Sequence, residues 1–327
     1  MKITCAGLTV VLALALYAPL AAYTGEAPKL FQVGVLAGGG FAFDAGIEPF
    51  RQRLRELGYV EGRTISLVIR NAEGRAERYA DFAAELVRLP VDVIVVHSNP
   101  ALVALRQATQ TIPIVMASIG DPVGSGFVAS LARPGGNITG LSNMSEGISA
   151  KWVELLKEVA PNAARLAVLW DSRAAAHASM WREIQMASRD LKVTPRVWEA
   201  RGPEEIERAF AEIGAERMGA LIILPIPTFA VNGRQITELA IKHRLPALYA
   251  FQEFVKAGGL LSYGPRVADL WMGSADYVDK ILKGAKPEDL PVAQPTTFVL
   301  ALNRKTAKAL GVTIPPSLLL RASEIIE

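Results

Sequence analysis

Three histidines, His97, His177 and His243, and one cysteine, Cys5, are the groups from which metal or thiol chemistry would have to be built. Their spacing matches no Cys/His metal site, and one cysteine makes no disulfide framework, so neither is expected. Gly38-Gly39-Gly40 invites a dinucleotide-binding reading, but the sixth position of that fingerprint is Phe43, and Arg70 and Asn71 end the second strand where an acid would hold the ribose. There is no Gly-Lys pair for a phosphate loop, no Gly-x-Ser-x-Gly elbow and no His-Glu-x-x-His. With no base paired to a nucleophile, no catalytic residue and no cofactor are assigned. His97 closes an apolar strand, where it is either a general base or, more blandly, a satisfied strand-end histidine.

What remains is binding chemistry at strand ends. Ser98, Ser118 and Thr228 stand just before helices, so their hydroxyls and the N–H groups that follow suit a carboxylate. An ammonium would need an acid, and Asp121, Asp171 and Glu253 are the candidates. Asp121 is equally suited to capping the next helix, and Glu253 to a solvated place in a first helical turn. The aromatics Phe41, Trp170, Phe229, Tyr249, Phe251 and Tyr263 fall at or just past strand ends. Singly each reads as core; together they are more than core filling needs and describe a small-ligand pocket. The loops that carry these groups run from Gly39 through Gly40 to Phe41, Ser98 with Asn99, and Ser118 through Gly120 to Asp121. Beyond them come Asn143, Asp171, Ile226 through Pro227 to Thr228, Tyr249 to Glu253, and Tyr263.

Such loops need a scaffold, and short β-branched runs alternating with helical periods supply one, as in parallel α/β layers. Strands are expected at Phe31–Ala37, Thr64–Arg70, Val91–Val96, Ile112–Ala117, Arg165–Trp170, Val193–Trp198, Ala220–Leu224, Pro246–Tyr249 and Leu260–Tyr263. Amphipathic segments such as Ile47–Leu57, Ala76–Leu89 and Leu270–Leu282 lie between and around them. The runs are apolar throughout, as when helices cover both faces of a sheet. Sliding the chain by 128 places matches Ile65–Val96 to Val193–Leu224 without a gap, pairing Gly74 with Gly202 and Phe82 with Phe210. Chance likeness of buried strands is the rival explanation, yet the order of elements is shared too. The reading is two similar doubly wound parallel-sheet lobes. In open parallel sheets a ligand sits beyond the carboxyl ends of the strands, so two facing sheets make a cleft.

The chain has 327 residues, 51% of them hydrophobic, which is more than one compact set of layers needs. Its 35 Lys and Arg against 32 Asp and Glu are scattered, which argues against a nucleic-acid partner. Lys2 and an apolar run from Ile3 to about Ala22 read as a secretory signal peptide, with an uncleaved anchor helix as the rival.

Several long motifs in order resemble the ABC transporter substrate-binding proteins of the tryptophan/tyrosine-binding type. They are Leu54-Arg55-Glu56-Leu57-Gly58-Tyr59-Val60-Glu61-Gly62, Gly120-Asp121-Pro122-Val123-Gly124, Leu131 to Gly140, Ser262-Tyr263-Gly264-Pro265 and Val278 to Pro287. The resemblance implies a type I periplasmic-binding fold, in which two lobes joined by three hinge crossings close over a ligand. It also implies a membrane permease with an ATPase as partners. A signal peptide at 1–27, a first lobe of 28–141 plus about 248–285, and a second of 142–247 plus about 286–327 are expected. The function expected is that of an extracytoplasmic solute receptor, periplasmic and monomeric, which meets the membrane only through the permease or an uncleaved leader. Its ligand would be an amino acid, aromatic in some relatives, or a related acid. An enzyme using the same cleft and a ligand sensor without transport are the alternatives.

Overall fold

The computed structural model describes residues 29–327; the expected leader lies outside the described residues. The chain first builds β1 (Phe31–Ala37), α1 (Phe41–Glu56), β2 (Ile65–Asn71), α2 (Arg78–Arg88), β3 (Val93–Val96), α3 (Asn99–Ala108), β4 (Ile114–Ile119) and β5 (Ile138–Ser142). These strands form a parallel sheet in the order β2-β1-β3-β4-β5. β3 and β4 are buried along their whole length, and this explains why every residue in them except Ser118 is apolar.

The second half repeats the plan with α4 (Ile148–Val159), β6 (Arg165–Trp170), α5 (Ala175–Asp190), β7 (Thr194–Glu199), α6 (Pro203–Ala215), β8 (Ala220–Ile223), α7 (Pro227–Val231), α8 (Gly233–Lys242), β9 (Ala247–Tyr249), α9 (Gln252–Lys256) and β10 (Leu261–Gly264). α10 (Val267–Leu282), β11 (Val299–Asn303), α11 (Arg304–Leu310), α12 (Pro316–Arg321) and β12 (Glu324–Ile326) complete the chain. The second sheet runs β12-β11-β10-β9-β8-β6-β7, with β11 antiparallel to β10. Its stretch β7-β6-β8-β9-β10 mirrors the whole first sheet. The 128-residue repeat in the sequence is therefore a repeat of structure: β2 with β3 corresponds to β7 with β8.

The chain passes between sheets three times: after β5, between β10 and α10, and between Gln294 and β11. α10 returns to the first sheet, packing on α1, β3, β4 and β5. Residues 290–293 then run beside β5: the Thr139 hydroxyl donates to the Leu290 carbonyl at 2.6 Å, and Ala293 N–H to the Gly140 carbonyl. This corrects the expected division, which gave 248–264 to the first lobe. β9 and β10 pair with β8 and β11 instead, because the duplicated plan needs them to complete the second sheet. The Pro-rich stretch near 286–293 belongs with the first sheet.

Where the lobes meet, α7 comes up against the loop after β1. A Cβ added at Gly38 would lie 2.5 Å from Pro227 Cγ, and one at Gly40 would lie 2.7 Å from the backbone of Ala230 and Val231. Gly40 also has φ of 71°, a conformation that side chains strain to adopt. The Thr228 hydroxyl donates to the Gly74 carbonyl at 3.3 Å across the same seam.

Candidate functional site

Each sheet changes direction beside its first strand, between β1 and β3 in one lobe and between β6 and β8 in the other. Loops leaving neighbouring strands at such a point part to opposite faces and leave a crevice. The two crevices face each other and enclose a cavity of about 610 Å³, its open mouth included. The first lobe supplies Ala42, His97, Ser98, Asn99, Pro100, Ser118, Gly120 and Asn143. The other side carries Ala174, Ala176, His177, Met180, Pro225, Ile226, Pro227, Ala230, Phe251 and Phe254.

The first-lobe wall is tied together by side-chain amides. Asn99 opens α3, donating through Nδ2 to the Gly120 carbonyl at 2.6 Å and accepting the Gly120 N–H through Oδ1 at 2.9 Å. It locks the loop after β3 to the loop after β4, which leaves one N–H and one lone pair of its amide for a ligand. Ser98 caps the helix, its Oγ accepting the Ala101 N–H. Asn143 donates through Nδ2 to Ser118 Oγ at 3.0 Å, while its Oδ1 is buried without a partner. His97 is 6% exposed, stacks on Trp271 of α10 with ring centroids 5.2 Å apart, and leaves Nδ1 without a partner. Burial pushes its pKa down to about 4, so the ring is neutral at ordinary pH.

On the second-lobe wall, His177 Nδ1 accepts the Asp171 N–H at 3.1 Å, which fixes the Nε2–H tautomer facing the Pro225 carbonyl at 3.3 Å. Burial pushes this ring down to about 4 as well, against the opposing pull of those contacts and of the Asp171 charge. His177 thus pins α5 to the loops after β6 and β8. Met180, one turn on, and Phe254, three residues after Phe251, complete an apolar side that the sequence reading missed. The buried positions His177, Met180 and Ile184 on α5 lie at helical spacing and were the available signal.

The remaining expected residues lie elsewhere. Asp121 has φ of 45° and accepts the Gly124 N–H at 2.8 Å, so its carboxylate closes its own turn. Asp171 lines an outer groove at the cavity mouth together with Arg173 and Thr228. Its carboxylate takes the Arg173 backbone N–H and guanidinium, the latter at 2.6 Å. Burial alone would raise the Asp171 pKa, but the Arg173 hydrogen bonds and charge outweigh it and hold the carboxyl below its ordinary range. Glu253 is absent from the wall, and burial raises its pKa. Gly39 and Gly40 shape the loop after β1 at the lobe seam, outside the wall. Phe41 packs edge-on against Phe254 at 5.5 Å. Tyr249 is fully buried and stacks on the same ring at 4.8 Å. Tyr263 stacks on Phe298 beside a lobe crossing, and its carbonyl accepts the Trp152 Nε1–H at 2.7 Å. Of the six strand-end aromatics, only Phe251 lines the cavity; Trp170 packs on Trp181 and Tyr263 on Phe298, away from the wall.

The electrostatic character of the wall is one-sided. None of its 18 residues is Asp, Glu, Lys or Arg. The first turns of α1, α3 and α5 all abut it, through Ala42, through Asn99 with Pro100, and through Ala176. Among these three, only α3 has a side-chain cap.

A family model described as ABC transporter substrate binding protein matches residues 39–326. A tyrosine-binding protein of Clostridioides difficile (strain R20291) is 26% identical over 279 residues, covering 83% of this chain and 78% of the relative. Among solved structures, the ABC domain from Streptococcus pneumonia in complex with L-Trp is 27% identical with a TM-score of 0.86, covering 91% of this chain and 100% of that one. A conserved domain protein from Vibrio cholerae is 29% identical at the same TM-score and coverage.

Proposed function

The chain belongs to the family of ABC transporter substrate-binding proteins, and from that membership we propose that its interlobe cavity takes an amino acid or a related organic acid with an aromatic-sized body. The family is one of binding proteins rather than an enzyme class; its ligand is a small molecule and its partners are the subunits of a transporter. The fold is the two-lobed α/β fold of type I periplasmic binding proteins. Within that frame the chain acts as a monomeric receptor outside the cytoplasm, in the periplasm, and presents its closed form to a permease.

The observation that carries this reading is the cavity itself, walled by both lobes at the two sheet switch points. His177 is bonded on both ring nitrogens and His97 stacks on Trp271, which supports reading both rings as parts of a binding wall. Binding energy must come from several sources. One aromatic face contributes about 0.5–1.5 kcal/mol, whereas micromolar affinity needs about 8 kcal/mol. Polar contacts to Ser98, Ser118 and Asn143, apolar burial against Met180 and Phe254, and lobe closure supply the remainder. The relatives that bind tyrosine and L-tryptophan support an aromatic-sized body. The test is mass spectrometry of the small molecules released when the purified protein is denatured. An organic acid of that size, released unchanged and able to rebind, is expected; a chemically converted product, or no solute that rebinds, would count against the reading.

A further inference from the structure

We infer that the cavity takes a carboxylate with an apolar, aromatic-sized body and no ammonium group, of the arylpropionate class or its 2-hydroxy or 2-oxo relatives. The inference rests on the receptor reading above and narrows its ligand.

It starts from the missing acid. Each carboxylate that the sequence offered to an ammonium is engaged or elsewhere: Asp121 closes its own turn, Asp171 is matched by Arg173 at the mouth, and Glu253 is not in the wall. An ammonium shut in here would meet neutral oxygens only, and a buried charge without a counter-charge is strongly disfavoured against water.

The opposite charge is provided for. Three helices of 16, 10 and 16 residues begin at the wall, and two of them, α1 and α5, lack a side-chain cap. Aligned peptide dipoles place about half a positive charge at each such end, which repels a cation and favours an anion. A second observation is independent of the helices. His97, 6% exposed and part of the wall, has a solvent-sealed Nδ1 without a partner and an Nε2 that makes no hydrogen bond among the described residues, so the one N–H of the neutral ring is unpaired in either tautomer. A carboxylate oxygen would satisfy it.

Asn143 fits the same ligand. Turning its amide over lets the Ser118 hydroxyl donate to Oδ1 and puts a donor where the residue now shows an orphaned acceptor. Phe251 and Phe254, on the opposite side, give the apolar body its faces.

The test compares three compounds with one ring system on the purified protein: 3-phenylpropionate, L-phenylalanine and 2-phenylethylammonium, with the indole series in parallel. By calorimetry the propionate binds about tenfold or more tighter than the amino acid, and the amine does not bind. Asn143→Asp, which puts a carboxylate in the wall at nearly constant shape, moves the preference toward the amino acid by about tenfold or more. Equal or tighter binding of the amino acid, binding of the amine, or an unchanged preference in the variant overturns the inference and leaves the receptor reading standing. If none of the compounds binds while denaturation releases another solute, the inference fails alone. If no solute is released and none rebinds, both readings fail.

Discussion

Gly38→Ala should weaken ligand binding while leaving each lobe intact. Gly38 lies outside the cavity wall and is not among the glycines with left-handed φ, so alanine is locally tolerated there. The added methyl would sit 2.5 and 2.6 Å from Pro227 Cγ and Cβ and 3.0 Å from the Tyr79 hydroxyl. Carbon atoms in contact prefer about 3.5–4.0 Å, so Pro227 must retreat by about 1 Å. Its ring is rigid and cannot rotate aside, so the second lobe has to move. Overpacking of this degree costs about 1–3 kcal/mol, and the cost falls on the closed form alone. At about 1.4 kcal/mol per decade, the dissociation constant rises about five- to 150-fold. Calorimetry of the variant and the wild type with the same solute reads this, beside thermal melting of the unliganded proteins. An unchanged affinity would refute the argument, as would a melting temperature that falls in step with affinity, since the clash would then lie in the resting fold.

Other perturbations separate the roles of neighbouring residues. Phe251→Ala should weaken an aromatic ligand by about 0.5–1.5 kcal/mol, roughly two- to tenfold, and a small aliphatic acid less; Tyr263→Ala, stacked on Phe298 instead, should not discriminate between them. Equal selectivity changes in both variants would contradict the placement. Asn99→Ala removes both bonds to the Gly120 backbone and should cost about 2 kcal/mol in chemical denaturation; a loss within about 0.5 kcal/mol would show that the two loops hold themselves. His97 and His177 are pushed down to about 4 in the fold, while in the unfolded chain each titrates near about 6.5. The unfolded state binds more protons between those values. Stability is therefore full above about pH 6.5 and is lost as pH falls toward 4, by about 3 kcal/mol per ring at most. Melting curves from pH 7.5 to 4.5 should track this loss, and His177→Gln should flatten it; an identical slope in the variant would exclude the ring as a source.

The sequence was most legible where burial is two-sided. Phe31–Ala37 and Arg165–Trp170, apolar except for Gln32 and Arg165 near their starts, have bounds that match β1 and β6. β5 went unseen because it is five residues long and contains Gly140, where a Cβ would lie 2.5 Å from the Met116 backbone nitrogen; nothing local announces so close a pairing. The misassigned stretch 248–264 had a usable signal in the shared order of elements, since the strand that follows each copy of the repeat, β4 in one half and β9 in the other, joins the sheet of its own copy. At the site, the loops after strands carry Ser98, Asn99, Ser118, Gly120, Asn143, Pro227 and Phe251 to one cavity. Charge was read less well. An Asp in a turn is satisfied by its own backbone or a neighbouring Arg, as Asp121 and Asp171 are, and one sequence does not reveal which carboxylates are already engaged. Trp271 was also out of reach, because it arrives from α10, about 170 residues after the His97 ring on which it stacks.

Small-angle X-ray scattering of the purified protein, titrated with the solute that denaturation releases, tests the central claim most directly. Lobe closure predicts a radius of gyration that shrinks to a limiting value as the solute saturates, with a scattering profile then matching the seam-closed arrangement in which Gly38 meets Pro227. A profile that never changes across saturation would contradict a receptor that works by enclosing its ligand between two lobes.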